Sequence, residues 1–171
     1  MKTDKQLAEK AYQLGFKYEA ERGSCPQCVL AAVFETLHVG DVKTIQAADA
    51  LAGGTMLCTK GTCGALAGGL LAISSLVGRD YNSFSNGKKQ RDVFEVSKPL
   101  YDRFVDEYGS ILCCDVHKKL FGRTFNLMDV KDYQEFEKLG AHVDKCPVVS
   151  GNVAQWTVEI ILEKIKEIKK A

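Results

Sequence analysis

The stretch Cys63-Gly64-Ala65-Leu66-Ala67-Gly68-Gly69-Leu70-Leu71-Ala72-Ile73-Ser74-Ser75-Leu76-Val77-Gly78 decides the reading of the fold. Cys63 to Val77 is the longest apolar run in the chain and carries no charge. It is too short to span a bilayer. Its richness in small residues predicts a buried helix, ended by Gly78. Gly64 and Gly68 lie four apart, as do Ala65 and Gly69, so each pair shares a helix face. Small residues at that spacing let another backbone approach closely.

Outward from this helix, the apolar period is helical almost everywhere. Leu7, Ala11, Leu14 and Tyr18 form one stripe, with a capping box at Thr3 and Gln6. Leu30, Val33, Phe34 and Leu37 form a second, stopped by Gly40. Asp41 caps a short third helix through Ile45, Ala48 and Leu51. A glycine-rich loop begins at Gly53-Gly54, and Thr55 to Leu57 within it is the one weak strand candidate. Beyond Gly78, Arg79 to Lys89 reads as a polar loop. A long helix follows through Val93, Leu100, Phe104 and Tyr108, which Pro99 should kink or end. Two short helices come next, one opened by Cys113 or Cys114 and ended at Gly122, one over about Val130 to Leu139. The last helix runs from Pro147 to about Lys169, with Val149, Val153, Trp156, Ile160, Ile161, Ile165 and Ile168 inward. The expectation is an all-α, compact bundle of about seven helices, a single domain over residues 1–171.

Composition narrows the function. With 171 residues, the chain can bury a core large enough to fold without disulfides. Lys and Arg total 23 against 22 Asp and Glu, a net charge of +1. No strong field favours nucleic acid or an anionic membrane. The basic end (Lys164, Lys166, Lys169, Lys170) alternates with Glu163 and Glu167 and reads as a solvated helix face. The N-terminus lacks the apolar core of a secretory signal, so the expectation is a cytoplasmic, reducing location without membrane insertion. There, seven cysteines argue for metal binding or redox chemistry over a static disulfide framework.

The cysteines fall at helix starts. Cys25 precedes Pro26 and Cys146 precedes Pro147, and proline favours the first turn of a helix. Cys63 opens the small-residue helix, and Cys113-Cys114 opens a short one. A helix N-terminus carries partial positive charge and free N–H donors, which favour thiolate over thiol. Four such starts meeting at one point would make a thiolate-rich, anion-friendly pocket suited to a metal or iron–sulfur group.

Four segments carry a resemblance: Ser24-Cys25-Pro26-Gln27-Cys28-Val29-Leu30, Thr62-Cys63-Gly64-Ala65-Leu66-Ala67-Gly68, Gly109-Ser110-Ile111-Leu112-Cys113 and Cys146-Pro147. Together they resemble the four-cysteine redox-active family labelled by its C, GCAxxG, C, C pattern, over roughly Gly23 to Leu162. That family is related to the iron–sulfur part of split-Soret cytochromes. The resemblance implies an iron–sulfur cluster, [2Fe-2S] or [4Fe-4S], and a role in electron transfer or redox sensing with a redox partner protein. It implies Cys25, Cys63, Cys113 and Cys146 as ligands; Cys28, Cys58 and Cys114 are additions to the pattern and stand in reserve, Cys114 able to replace Cys113 and Cys58 to replace Cys63. A homodimer is compatible with it, because the related cytochromes associate. Covalent haem is not implied, since no Cys-x-x-Cys-His occurs.

Two other readings use the same residues. Cys25-Pro26-Gln27-Cys28 has the form of a thiol–disulfide dithiol, though without the strands of a thioredoxin-like setting. Structural zinc is the third, although only one Cys-x-x-Cys unit is present. Either His117, four after Cys113, or His142, four before Cys146, could replace a thiolate. No nucleophile–histidine–carboxylate set, phosphate loop or nucleic-acid pattern stands out.

Overall fold

A computed structural model describes residues 2–170. Among these, nine α-helices form and no strand: α1 (Asp4–Arg22), α2 (Cys25–Leu37), α3 (Val42–Ala47), α4 (Gly64–Val77), α5 (Tyr81–Ser85), α6 (Asp92–Tyr108), α7 (Cys113–Phe121), α8 (Val130–Lys138) and α9 (Cys146–Lys170). Seven of them are nine residues or longer, matching the expected bundle. Of the two shorter helices, α3 is the one expected after Asp41, ending at Ala47 rather than reaching Leu51, and α5 forms within the stretch expected to be loop. A 3₁₀ turn, Asp49–Leu51, follows α3, and a π turn, Ala141–Lys145, leads into α9. No helix among the described residues is long and apolar enough to cross a membrane.

The caps follow the sequence. Thr3 and Gln6 close the capping box on α1, and the Asp41 carboxylate accepts from the Thr44 N–H at 2.7 Å. Asp80 caps α5 inside the stretch expected to be loop. Pro99 does not end α6; it sits on the exposed side, and the helix runs unbroken. Ile168, expected inward, is 54% exposed. The reason is length: Lys166 pairs with Asp4 at the start of α1, so Ile168 lies past the end of its partner helix.

Packing places α9 at the centre, against α1, α2, α4 and α6. α1 and α9 lie side by side, and α2 packs on α1, α4 and α9, while α6 covers α4 and α9. Leu30, Leu66, Ile73, Leu100, Phe104 and Ile161 fill this main core. A second, smaller core of Phe125, Leu127, Phe136 and Ala141 forms beneath α7 and α8, with Phe121 packed against it. The cysteines collect at the seam between the two cores: Cys63 belongs to the first, and Cys146 packs on the second.

The strand candidate at Thr55–Leu57 is corrected. Thr55, Met56 and Leu57 have φ of 71°, 49° and 60°, continuing a left-handed turn begun by Gly53 and Gly54. Backbone N–H groups of Met56 and Leu57 donate to Ala50 O and Ala52 O, so the turn is closed by its own hydrogen bonds. Non-glycine residues in this region cost on the order of 1 kcal/mol each. Such strain persists only where the surroundings hold it, and here the turn walls the cysteine site.

Candidate functional site

The four helix starts converge. Cys25, Cys63, Cys113 and Cys146 line one cavity of about 220 Å³. Cys25, Cys113 and Cys146 are the first residues of α2, α7 and α9, and Cys63 is the N-cap of α4. All seven cysteines are free thiols.

Local structure explains the convergence. Cys63 N–H donates to Ile111 O at 2.7 Å, and Cys113 N–H donates to Gly61 O at 3.0 Å. These bonds flank an isolated antiparallel bridge between Thr62 and Leu112 and staple the starts of α4 and α7 together. Cys25 is delivered by the glycines of α4. A Cβ on Gly64 would lie 2.4 Å from Cys25 Sγ, and one on Gly68 would lie 2.5 Å from Pro26 O. The spacing read as close packing therefore seats the Cys25–Pro26 start against α4. Gly54, in the left-handed turn, leaves room for Cys113: a Cβ there would be 2.6 Å from Cys113 Cβ.

The electrostatics correct one expectation. The helix N-termini do not leave these thiols acidic. Burial pushes all four up: Cys63 to about 11, and Cys25, Cys113 and Cys146 well above the ordinary thiol value. At Cys63 the amides of Ala65 and Leu66 oppose the rise, and at Cys25 the Gly53 amide does. Desolvation outweighs them, because a few partial charges cannot replace bulk water around a thiolate.

Polar groups share the wall. Glu19, His117 and Ser150 line the cavity, are at most 2% exposed, and each keeps an atom without a hydrogen-bond partner: Oε2, Nδ1 and Oγ. Buried polar atoms normally have partners. Burial raises the Glu19 carboxyl above its ordinary value, opposed first by His142 and then by the Cys28 and Ser150 side chains beside it. His142 Nε2 lies 3.7 Å from Glu19 Oε1, and its Nδ1 lies 2.6 Å from Glu137 Oε1.

The reserve cysteines do not line this cavity. The Cys28 thiol donates to Gly23 O at 2.9 Å and the Cys58 thiol to Gly54 O at 3.1 Å. Cys114 follows Cys113 and donates its N–H to Thr59 O. Both candidate histidines line the cavity, His117 beside Cys113 and His142 beside Glu19. Among the described residues, no three His, Cys, Asp or Glu side chains gather tightly enough to hold one ion. Sequence reasoning missed Glu19 and Ser150. Glu19 had a signal: Ala8, Ala11, Gly15 and Glu19 share the buried stripe of α1, where a carboxylate is out of place.

A family model described as "Putative redox-active protein (C_GCAxxG_C_C)" matches residues 24–160. The chain belongs to this family. The C_GCAxxG_C_C match takes in all four cavity cysteines, and the family's central motif reads Cys63-Gly64-Ala65-x-x-Gly68 here. These are the residues that staple α4 to α7 and seat α2 on α4. No curated protein and no solved structure matches the chain.

Proposed function

We propose that this redox-active protein binds one iron–sulfur cluster through Cys25, Cys63, Cys113 and Cys146 and acts in electron transfer or redox sensing. The observation that carries the reading is the convergence of four thiols, two buried and two partly buried, from four helix starts, on one cavity. The donor set fits such a group: four sulfurs, with nearby amides of Gly53, Ala65 and Leu66 facing two of them.

Thiols raised by burial ionise poorly alone, so metal binding with proton release would balance their charge. When bound, the cluster would accept an electron from a redox partner protein and return it to another. The chain's residues hold the ligands, exclude water and supply hydrogen-bond donors to sulfur. The dithiol reading finds less support. Cys28 lies outside the cavity, and burial raises both Cys25 and Cys28, against the low value a nucleophilic thiol needs. A cytoplasmic, reducing location fits seven free thiols. A cavity shared by both cores fits a single domain.

The test is an absorption spectrum with iron, sulfide and zinc analysis on protein purified without oxygen. The expected result is a brown protein with iron and sulfide in near-stoichiometric amounts, lost in Cys63→Ser. Protein that stays free of iron and sulfide after cluster reconstitution would overturn the reading.

A further inference from the structure

One cavity thiol differs from the other three. Cys113 Sγ lies 3.5 Å from Nε2 of His117, one turn along α7. The His117 ring is 2% exposed, and Phe121, Phe125 and Phe136 surround it with centroids 5.6, 5.8 and 5.0 Å away. Its Nδ1 has no hydrogen-bond partner. An imidazolium would be costly in this apolar enclosure, so the ring carries one proton on one of two nitrogens.

The surroundings choose the nitrogen. A proton on Nδ1 would put an N–H donor among phenyl rings, and a ring face is only a weak acceptor. A buried unmet donor costs about 1–3 kcal/mol. A proton on Nε2 faces the Cys113 sulfur. In the first arrangement Nε2 accepts from a Cys113 thiol but the Nδ1 proton goes unmet; the second donates to the sulfur, the only direction open once that sulfur is bound as a ligand.

We propose that His117, as the neutral Nε2–H tautomer, is a positioning residue for Cys113: it donates to the Cys113 sulfur and raises the reduction potential of the group that this sulfur holds. The tautomer and hydrogen bond stand on the geometry; the effect on the potential rests on the iron–sulfur reading above. A reduced cluster is the more negative state and its thiolates are the better acceptors, so a donor stabilises reduction. Because the ring is neutral, it adds this donor without a charge to desolvate. Neither His142, paired to Glu137, nor any other ring nitrogen among the described residues is seated against a cavity thiol.

Nitrogen-15 NMR of the histidine rings in reduced, metal-free protein tests the tautomer, with the His117 signals assigned by their loss in His117→Gln. The expected result is an Nε2–H ring, unchanged across neutral pH. An Nδ1–H ring would leave the Nε2 lone pair free to act as a metal ligand and would overturn the proposal, as would an imidazolium. In reconstituted protein the midpoint potential should shift down in His117→Leu and recover in part in His117→Gln, whose amide also donates. An unchanged potential in both would overturn the tuning role. Iron and sulfide analysis of the same samples keeps the two questions apart. Absent cluster defeats the proposed function, while the NMR result still decides the tautomer.

Discussion

The two faces of α4 use glycine for different ends. On one face, a Cβ at Gly64 would lie 2.4 Å from Cys25 Sγ, and one at Gly68 would lie 2.5 Å from Pro26 O and 2.9 Å from Pro26 Cα. On the other, a Cβ at Gly69 would meet Leu100 Cδ2 and Thr157 Oγ1 at 2.7 Å and Val153 Cγ1 at 2.9 Å. The shortage of space is similar. What must move is not. Side-chain ends of Leu100 and Val153 can rotate away, whereas the first turn of α2 moves only by carrying the Cys25 sulfur with it. Close packing on the first face places a thiol, and on the second face it only fills a core.

Paired substitutions should expose this difference. Each Gly→Ala change gains about 1 kcal/mol of helix propensity, and overpacking costs about 1–3 kcal/mol or more. Gly68→Ala, facing backbone, should lose about 3 kcal/mol net in denaturant unfolding of the metal-free protein, and most of the bound iron. Gly69→Ala should lose about 1 kcal/mol and keep its iron. Equal loss of iron in both would break the comparison and make the whole of α4 a single packing unit.

Much of this was legible in the sequence, for physical reasons. Helix period, Pro26 and Pro147 after cysteines, and the caps at Thr3 and Asp41 are local signals, and the elements follow them. The meeting of the four helix starts was a hope drawn from their number. It depends on the Thr62–Leu112 bridge and the Gly68–Pro26 contact, which join residues far apart in sequence. The thiols' acidity was misread because dipoles can be read from sequence position and desolvation cannot. The left-handed turn at Thr55–Leu57 escaped because Thr and Leu ordinarily avoid positive φ.

Titratable groups sharpen the contrast, since Glu19 and His117 border the cavity while the groups around Gly69 do not ionise. His117 is depressed from 6.5 to about 4. The unfolded chain therefore takes up its proton first, so stability present above pH 6.5 is lost as pH falls through 4, by about 3 kcal/mol. Glu19 runs the other way. Its carboxyl is raised above 4.5, so the folded state keeps the proton longer and stability falls as pH rises past that value. Glu19→Gln removes this fall, so its thermal midpoint should gain on the parent's as pH rises from about 4.5. Parallel curves for the two reduced, metal-free proteins would mean that the folded state ionises Glu19 as freely as water does.

The smallest effects separate the two faces most cleanly. Ser150 Oγ on the cavity wall and Thr157 Oγ1 beside Gly69 are both 0% exposed and both lack a hydrogen-bond partner. Removing an unmet hydroxyl should stabilise by about 1 kcal/mol. Thr157→Val should give that gain whether or not a group is bound, because α6 and α9 fill that side of α4. Ser150→Ala should give it only in the metal-free protein. In reconstituted protein the missing hydroxyl should speed cluster loss on chelator challenge, followed by the fading of its absorption, because the donor then serves the bound group. Should Ser150→Ala behave like Thr157→Val in both states, the open hydroxyl on the cavity wall is an ordinary flaw of packing, and the case for a bound group falls back on the four sulfurs alone.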